Sequence, residues 1–341
     1  MKKSVLVTLA DRQFLDQVKQ LFASAYLAGG WDGDYLLLAH DLSNEETKPF
    51  RERGILVKDC PPLVFGEKGS IGQGQNTWSD VVWSKLYLFD QSFKRWEHVV
   101  FLDSDIIVRQ SILTMVGADG LWAATDNFYP ALRNRFIEGS PEKIKRLKRD
   151  YANLRGRSFN SGVLTYHTDL IKEDSFEKLK KSAWGYGDVS YSDEGVLNLF
   201  FQKSWRPLPM TYNMLVPYWL EHCRLRPDQI RGVIWHFVGR REKDKPWHKN
   251  CPFNLIWNEN RKRFDSIDFN SLPPLASEMS STESRRYCRR LSWRCFFYFR
   301  LRLDRQIGLI GLLLKRADPD LYYQLKKIKD VLPIFGHRAG A

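Results

Sequence analysis

Asp103 and Asp105 stand two residues apart, directly after the apolar run Val99-Val100-Phe101-Leu102. A buried strand of that composition would carry two carboxylates to its carboxyl end, where nucleotide ligands bind in open α/β sheets. Two hard oxygen ligands at such a place can hold Mg2+ or Mn2+ against a diphosphate. The same triplet occurs as Asp32-Gly33-Asp34 and Asp318-Pro319-Asp320. Those two copies read as turn chemistry, because Gly or Pro stands between the acids. Spacing alone leaves Asp103 and Asp105 open between metal ligands and the polar end of a strand. Read the same way, Asp193-Glu194 are acids favoured by the dipole at a helix N-terminus. His236 reads as a core histidine, and Asn160-Ser161-Gly162 as turn residues.

The elements that would position these residues follow from hydrophobic periodicity. Residues 4–9 read as a buried strand and 14–27 as an amphipathic helix ending at Gly29-Gly30. A strand over 35–40, a short helix over 45–53 and a strand over 55–58 complete a β-α-β-α-β opening. That order predicts a parallel, nucleotide-binding type of sheet. Residues 80–89 read as helical, and 97–102 as the strand that leads into the acids. Short strands are expected at 106–108 and 121–125, and a charged helix at 142–151. A strand at 159–166, a helix at 193–201 and a late strand at 232–237 follow. The glycine-bearing stretch 66–78 lacks the Lys-Ser/Thr ending of a P-loop and reads as a mobile surface loop.

The chain has 341 residues, 43% hydrophobic and 14% aromatic. That content excludes general disorder and fits one large α/β domain with an appendage. The net charge of +13 is uneven: residues 285–341 hold 14 Lys/Arg against 4 Asp/Glu, leaving +3 for the rest. Five cysteines without a C-x-x-C pair fit a reducing compartment rather than a disulfide framework or a zinc site. The apolar N-terminal run, broken by Asp11, is too short for a secretory leader. The longest aliphatic run, residues 307–314, is far below the roughly 20 residues of a membrane-spanning helix. A cytoplasmic protein, peripheral on the cytoplasmic face of a membrane, is expected.

Four segments in order resemble the retaining glycosyltransferases of family 8, the group of glycogenin and the lipooligosaccharide galactosyltransferases. They are Phe101-Leu102-Asp103-Ser104-Asp105, Phe159-Asn160-Ser161-Gly162-Val163-Leu164, Asp193-Glu194-Gly195-Val196-Leu197-Asn198, and His236-Phe237-Val238-Gly239 followed by Lys245-Pro246-Trp247. The resemblance runs from about Val5 to His248. It implies a GT-A type fold, a Rossmann-like, mixed, mostly parallel sheet, with a basic C-terminal helical appendage. It implies transfer of a hexose from a UDP-sugar, with retention, to a saccharide or glycolipid acceptor such as lipopolysaccharide core.

By this resemblance Asp103, Asp105 and His236 are the ligands of Mn2+, with Mg2+ as the alternative ion. Lys245 and the backbone of Gly239 meet the donor phosphates. Leu9, Ala10 and Asp11 form the uracil site with Phe14 as a stacking partner, and Ser104 belongs with the donor contacts. Lys85 is the donor-binding lysine, Asp126, Asn160, Ser161 and Asp193 contact the donor sugar, and Glu194 lies beneath the anomeric carbon. Lys85 read alone is an exposed helix lysine. Two departures stand out. Five residues, Arg240 to Asp244, separate Gly239 from Lys245 where glycogenin-like enzymes have two, so Arg240, Arg241 and Lys243 also compete for the phosphate role. Glu194 replaces the glutamine usual in related enzymes. It could form a glycosyl-enzyme intermediate or stabilise an oxocarbenium-like centre.

The boundaries expected are a catalytic domain over 1–264, a Ser- and Pro-rich linker over 265–284, and a basic aromatic segment over 285–341. In that segment Arg285, Arg286, Arg289, Arg290 and Arg294 interleave with Tyr287 and Trp293. Arginine with aromatics suits an anionic membrane surface, a nucleic acid, or an ordinary packed helix. Beside an enzyme-like body the membrane is favoured over nucleic acid. Two rival functions remain: a nucleotidyltransferase that makes the sugar nucleotide, and a non-catalytic sugar- or membrane-binding protein. The first would want a Gly-rich triphosphate signature after the opening strand, and none is present. Neither donor hexose, linkage nor oligomeric state is legible.

Overall fold

The computed structural model describes residues 2–63, 80–117, 119–128, 130–136, 141–151, 153–187, 190, 192–239, 241–301 and 321. The 66–78 loop, Arg240 and the tail beyond 301, Leu321 excepted, lie outside the described residues. Strand β1 (Ser4–Ala10) is buried at every position because both its faces are covered. Val5, Val7 and Leu9 pack with Val99, Phe101 and Leu86 on one face. Leu6 and Ala10 pack with Val18, Leu21 and Phe22 of α1 (Leu15–Leu27) on the other. Such two-sided burial is why the sequence of a parallel strand reads as a continuous apolar run.

The chain continues through β2 (Asp34–His40), α2 (Asn44–Arg51) and β3 (Leu56–Cys60). A capping box opens α2: Ser43 N donates to Glu46 Oε2 at 2.9 Å, and Glu46 N donates back to Ser43 Oγ at 3.3 Å. Residues 80–89 are helical as expected, wound as tight 3-10 turns. Then come β4 (His98–Leu102), β5 (Ile106–Val108), β6 (Leu121–Thr125), α3 (Pro141–Asp150) and β7 (Phe159–His167). After them run α4 (Ser175–Tyr186), α5 (Ser192–Phe201), β8 (Trp205–Leu208), β9 (Met214–Leu215) and α6 (Val216–Cys223). The last described elements are β10 (Ile234–His236), α7 (Asn254–Arg263) and α8 (Ser281–Leu301).

Among the described residues the strands form a seven-stranded sheet in the order β3-β2-β1-β4-β7-β6-β8 and a three-stranded sheet in the order β5-β10-β9. Pairing in the large sheet is parallel except at β7, which runs antiparallel to β4 and β6. The chain steps outward from β1 to β2 and β3, then returns to place β4 on the other side of β1. That reversal opens a crevice at the carboxyl ends of β1 and β4. Asp103 and Asp105 follow β4 there, and Leu9, Ala10 and Asp11 end β1 beside it.

The chain divides into two compact units, residues 1–285 and 286–341. Within the first, Phe264, Ile267 and Phe269 are buried against Phe22, Tyr26 and Tyr35. Tyr26 Oη donates to Leu272 O at 2.9 Å. Of the second unit, the described residues are the remainder of α8 and Leu321. Among the described residues no helix is long and apolar enough to cross a membrane.

Candidate functional site

Two short pairings bring the acids and His236 together. Asp103 N donates to Gly162 O at 2.9 Å, which ties the end of β4 to β7. Asp105 leads into β5, whose Ile106 pairs with His236 on β10. His236 Nε2 then lies 3.0 Å from Asp105 Oδ1 and 3.8 Å from Asp103 Oδ2. One ligand atom from each residue lies within 4.8 Å of the others. His236 is buried, and its partners are these acids and Asn213. A Cβ added at Gly162 would sit 2.2 Å from His236 Cε1 and 2.7 Å from Asp103 Oδ2. Glycine is needed at that position by the site. Asn160, Ser161 and Gly162 lie in β7, within the strand expected over 159–166 and not in the turn that their composition alone suggests. Tertiary contact, not local turn chemistry, selects them.

Crowding of negative charge sets the electrostatics. Desolvation, against the pull of Lys85 and His236, raises the Asp103 carboxyl above its usual range, with Asp105 and Asp193 adding repulsion. For Asp105, desolvation is outweighed by Lys245 and His236, which hold its carboxyl well below that range. Lys245 Nζ lies 2.7 Å from Asp105 Oδ2 and donates to Phe237 O at 2.6 Å. Two carboxylates and an imidazole form a donor set that fits octahedral Mn2+ or Mg2+. The residues present fit such an ion.

Lys85 is not the exposed helix lysine that its sequence context allows. It is 4% exposed, with Nζ 3.0 Å from Asp103 Oδ1 and 3.0 Å from Asp193 Oδ2. Burial would lower its pKa, but the two acids raise it above the ordinary value. Ser161 Oγ donates to Asp193 Oδ2 at 2.9 Å. Asp193 and Glu194 open α5, as the sequence predicts, and Asn198 pins that helix to β7. Its Nδ2 donates to Phe159 O at 2.8 Å and to Glu194 O at 2.9 Å, and its Oδ1 accepts from Phe159 N at 2.9 Å.

A second cluster surrounds Glu194. Its Oε2 accepts from Asn160 Nδ2 at 2.7 Å and from Ser161 N at 3.0 Å, and its Oε1 pairs with Arg135. Arg135 also meets Asp126 Oδ2 at 3.0 Å and donates to Ser158 Oγ at 3.1 Å. Asp126 follows β6, and its Oδ1 accepts from Phe128 N at 2.7 Å. Burial pushes the Glu194 carboxyl up despite Arg135. Asn213 joins the clusters: its Oδ1 lies 2.8 Å from His236 Nδ1, and its Nδ2 donates to Asn160 Oδ1 at 2.9 Å. Sequence reasoning missed Arg135 and Asn213.

The remaining predicted residues stand around this centre. Val7 pairs with Phe101, so the parallel register carries Leu9 alongside Asp103. Asp11 caps the turn into α1, accepting from Gln13 N at 2.9 Å. Ser104 is half-buried in the turn between the two acids. Gly239 has φ +102°, a left-handed conformation that favours glycine. Of the described basic residues between 240 and 245, Lys245 is the one paired with Asp105. Arg241 pairs with Glu221 and Asp244, and Lys243 is exposed.

The glycosyl transferase family 8 profile matches residues 41–251. Galactinol synthase 1 of Arabidopsis thaliana is 23% identical over 217 residues, 61% of this chain and 60% of that protein. Glycosyltransferase GlyB of Streptococcus pneumoniae is 27% identical over 185 residues, 50% of this chain and 39% of its own length. The chain thus spans well under two thirds of these relatives. Galactosyltransferase LgtC, solved with donor and acceptor sugar analogues, superposes with a TM-score of 0.57 at 20% identity. That match covers 79% of this chain and 98% of LgtC. Glycosyltransferase GlyE of Streptococcus pneumoniae superposes with a TM-score of 0.53 at 21% identity, over 79% and 63% of the two chains. The fold shared with them is of the GT-A type, and the family span of residues 41–251 contains Asp103, Asp105 and His236. This chain belongs to glycosyl transferase family 8.

Proposed function

We propose that the chain is a retaining glycosyltransferase that moves a hexose from a UDP-sugar to a saccharide or glycolipid acceptor of the lipopolysaccharide type. Asp103, Asp105 and His236 hold its Mn2+, or Mg2+ as the alternative. The observation that carries the reading is the convergence of those three residues at the crevice between β1 and β4. A bound divalent ion supplies charge to offset what builds on the leaving diphosphate. Lys245 adds a second positive charge for the donor phosphates, and the left-handed backbone at Gly239 lets the chain approach them. Leu9, Ala10 and Asp11 receive the uracil, with Ser104 nearby. Lys85, Asp126, Asn160, Ser161 and Asp193 bind the donor sugar.

Glu194 acts as a fixed negative charge beneath the anomeric carbon and does not form a covalent intermediate. The support is its committed oxygens: one pairs with Arg135, the other accepts two N–H bonds. A carboxylate held in that way favours an oxocarbenium-like centre while the acceptor attacks from the leaving-group face, which gives retention. Residues 1–264 form the catalytic part, 265–284 the connection, and 285–341 the part that meets an anionic membrane. The charge of that last segment, 14 basic against 4 acidic residues, supports the assignment.

The deciding experiment is UDP release from a panel of UDP-hexoses with and without Mn2+. Release that depends on the ion and on a saccharide acceptor is expected. Pyrophosphate formed from a nucleoside triphosphate and a sugar phosphate would instead select a nucleotidyltransferase. Donor binding without any release would select a non-catalytic sugar-binding protein. Flotation with anionic vesicles tests the tail, and unchanged flotation of a chain ending at Ser284 would exclude it.

A further inference from the structure

We propose that Asn213 is a positioning residue: it fixes His236 in the tautomer that a cation requires and ties that ring to Glu194. The inference rests on the metal reading of Asp103, Asp105 and His236. It starts from a group whose role is not open to choice. Gly162 N can only donate, and it lies 3.1 Å from Asn160 Oδ1, so that terminal atom of Asn160 is oxygen. The other terminal atom is the NH2 group, 2.7 Å from Glu194 Oε2. Whatever Asn213 places 2.9 Å from Asn160 Oδ1 must also donate, so it is the Asn213 NH2. The carbonyl oxygen of Asn213 is therefore the atom 2.8 Å from His236 Nδ1.

An amide oxygen only accepts, so His236 Nδ1 carries hydrogen, and Nε2 is the ring atom left to offer a lone pair to a cation. Nε2 lies 3.0 Å from Asp105 Oδ1 and 3.8 Å from Asp103 Oδ2. These three atoms can converge on one positive charge, and with Nδ1 committed to Asn213 a cation is met by Nε2 alone. Histidines that ligate metals ordinarily donate their other ring N–H to such an acceptor. The fold holds Asn213 to the task. Asn213 N donates to Met210 O at 3.0 Å, and the next two residues, as β9, pair with Trp235 and His236. Asn213 is 4% exposed, so no solvent stands ready to replace it. The result is one hydrogen-bonded path: His236, Asn213, Asn160, Glu194, Arg135, Asp126.

The test measures Mn2+ uptake by the full-length protein, reading free Mn2+ by electron paramagnetic resonance. Asn213→Ala should weaken binding about 10- to 100-fold, the usual cost of losing such an outer partner. Asn213→Asp keeps an acceptor for Nδ1–H and cannot donate to Asn160. It should bind Mn2+ within about threefold of wild type while donor turnover falls. A purely structural role would move the two variants together, so parallel loss overturns the proposal. Wild-type affinity in Asn213→Ala overturns it as well. Nitrogen-15 spectra of Mg2+-loaded wild type should show His236 protonated at Nδ1, and an unprotonated Nδ1 is decisive against it even where a variant fails to fold. Wild type that takes up no Mn2+ overturns the metal reading itself. Wild-type uptake with unaltered Asn213→Ala overturns this inference alone.

Discussion

Two clusters meet at this site, and their cations differ in kind. Around Asp103, Asp105 and Asp193 the positive charges are lysines, Lys85 and Lys245, each a point charge on a flexible stem. Around Asp126 and Glu194 the cation is Arg135, which uses three nitrogens in a rigid fork on Asp126, Glu194 and Ser158. The first arrangement can exchange one positive charge for another. The second is committed, with both acids also taking backbone N–H bonds. Under the proposed function, the first region takes up and releases a ligand and the second holds its geometry.

The largest effect should come from the exchangeable side. Asp105→Asn removes a proposed metal ligand and is expected to cost about three orders of magnitude in turnover, several kcal/mol of charge stabilisation at 1.36 kcal/mol per decade. Mn2+ uptake should vanish with it while the fold persists by circular dichroism. On the committed side the loss should be of stability. Arg135→Met leaves Asp126 and Glu194 buried without their cation, which should cost about 3–5 kcal/mol in urea unfolding. A loss under about 1 kcal/mol would place the pair in the class of surface ion pairs and collapse the contrast.

The same contrast separates what the sequence reveals from what it hides. Strands β1 and β4 are legible because two-sided burial leaves them mostly apolar, with Ser4 and Thr8 in β1 and His98 at the start of β4, and the acids after β4 are legible because that run ends at them. The Asp193 segment is legible as a helix start. Arg135 is hidden: it is one of 53 Lys and Arg, in a short 3-10 turn over residues 132–135 without periodic pattern. Asn213 is hidden because its partners, Asn160 and His236, are 53 and 23 residues away and no local motif marks it. Gly162 shows the same limit from the other side. The strand around it is legible, but the reason for a glycine there is not, because a histidine 74 positions later dictates the missing side chain. Strand β8, half-exposed and holding Pro207, offers neither alternation nor an apolar run.

Lys245 gives a sharper test of exchangeability. With its ammonium 2.7 Å from Asp105 Oδ2, it occupies charge that a divalent ion would compete for. Lys245→Met should raise the affinity for Mn2+ alone by about tenfold, or 1.4 kcal/mol, and should weaken UDP binding measured by calorimetry. The two changes have opposite sign, which no general loosening of the site would produce. Unchanged or weaker Mn2+ binding would show that the lysine is fixed like Arg135, and the two regions would no longer differ.

The smallest effect calibrates the comparison, since it concerns the same chemical pair at the surface. Arg12 and Glu46 form an exposed Arg–carboxylate pair beside the α2 capping box. The hydrogen bond from Arg12, then those from Ser43, lower the Glu46 carboxyl from 4.5 to about 2. A depressed acid adds stability that is complete above its unfolded value and disappears as pH falls through the folded one. Wild type should therefore exceed Glu46→Gln by about a degree in Tm at neutral pH, with the gap closing between pH 4.5 and about 2. Burial shifts Glu194 the opposite way, so ionising it costs stability as pH rises rather than as it falls. Acid titration of the two glutamates should thus give slopes of opposite sign. Slopes of the same sign would mean that Arg135 outweighs desolvation at Glu194 and that depth does not distinguish the pairs.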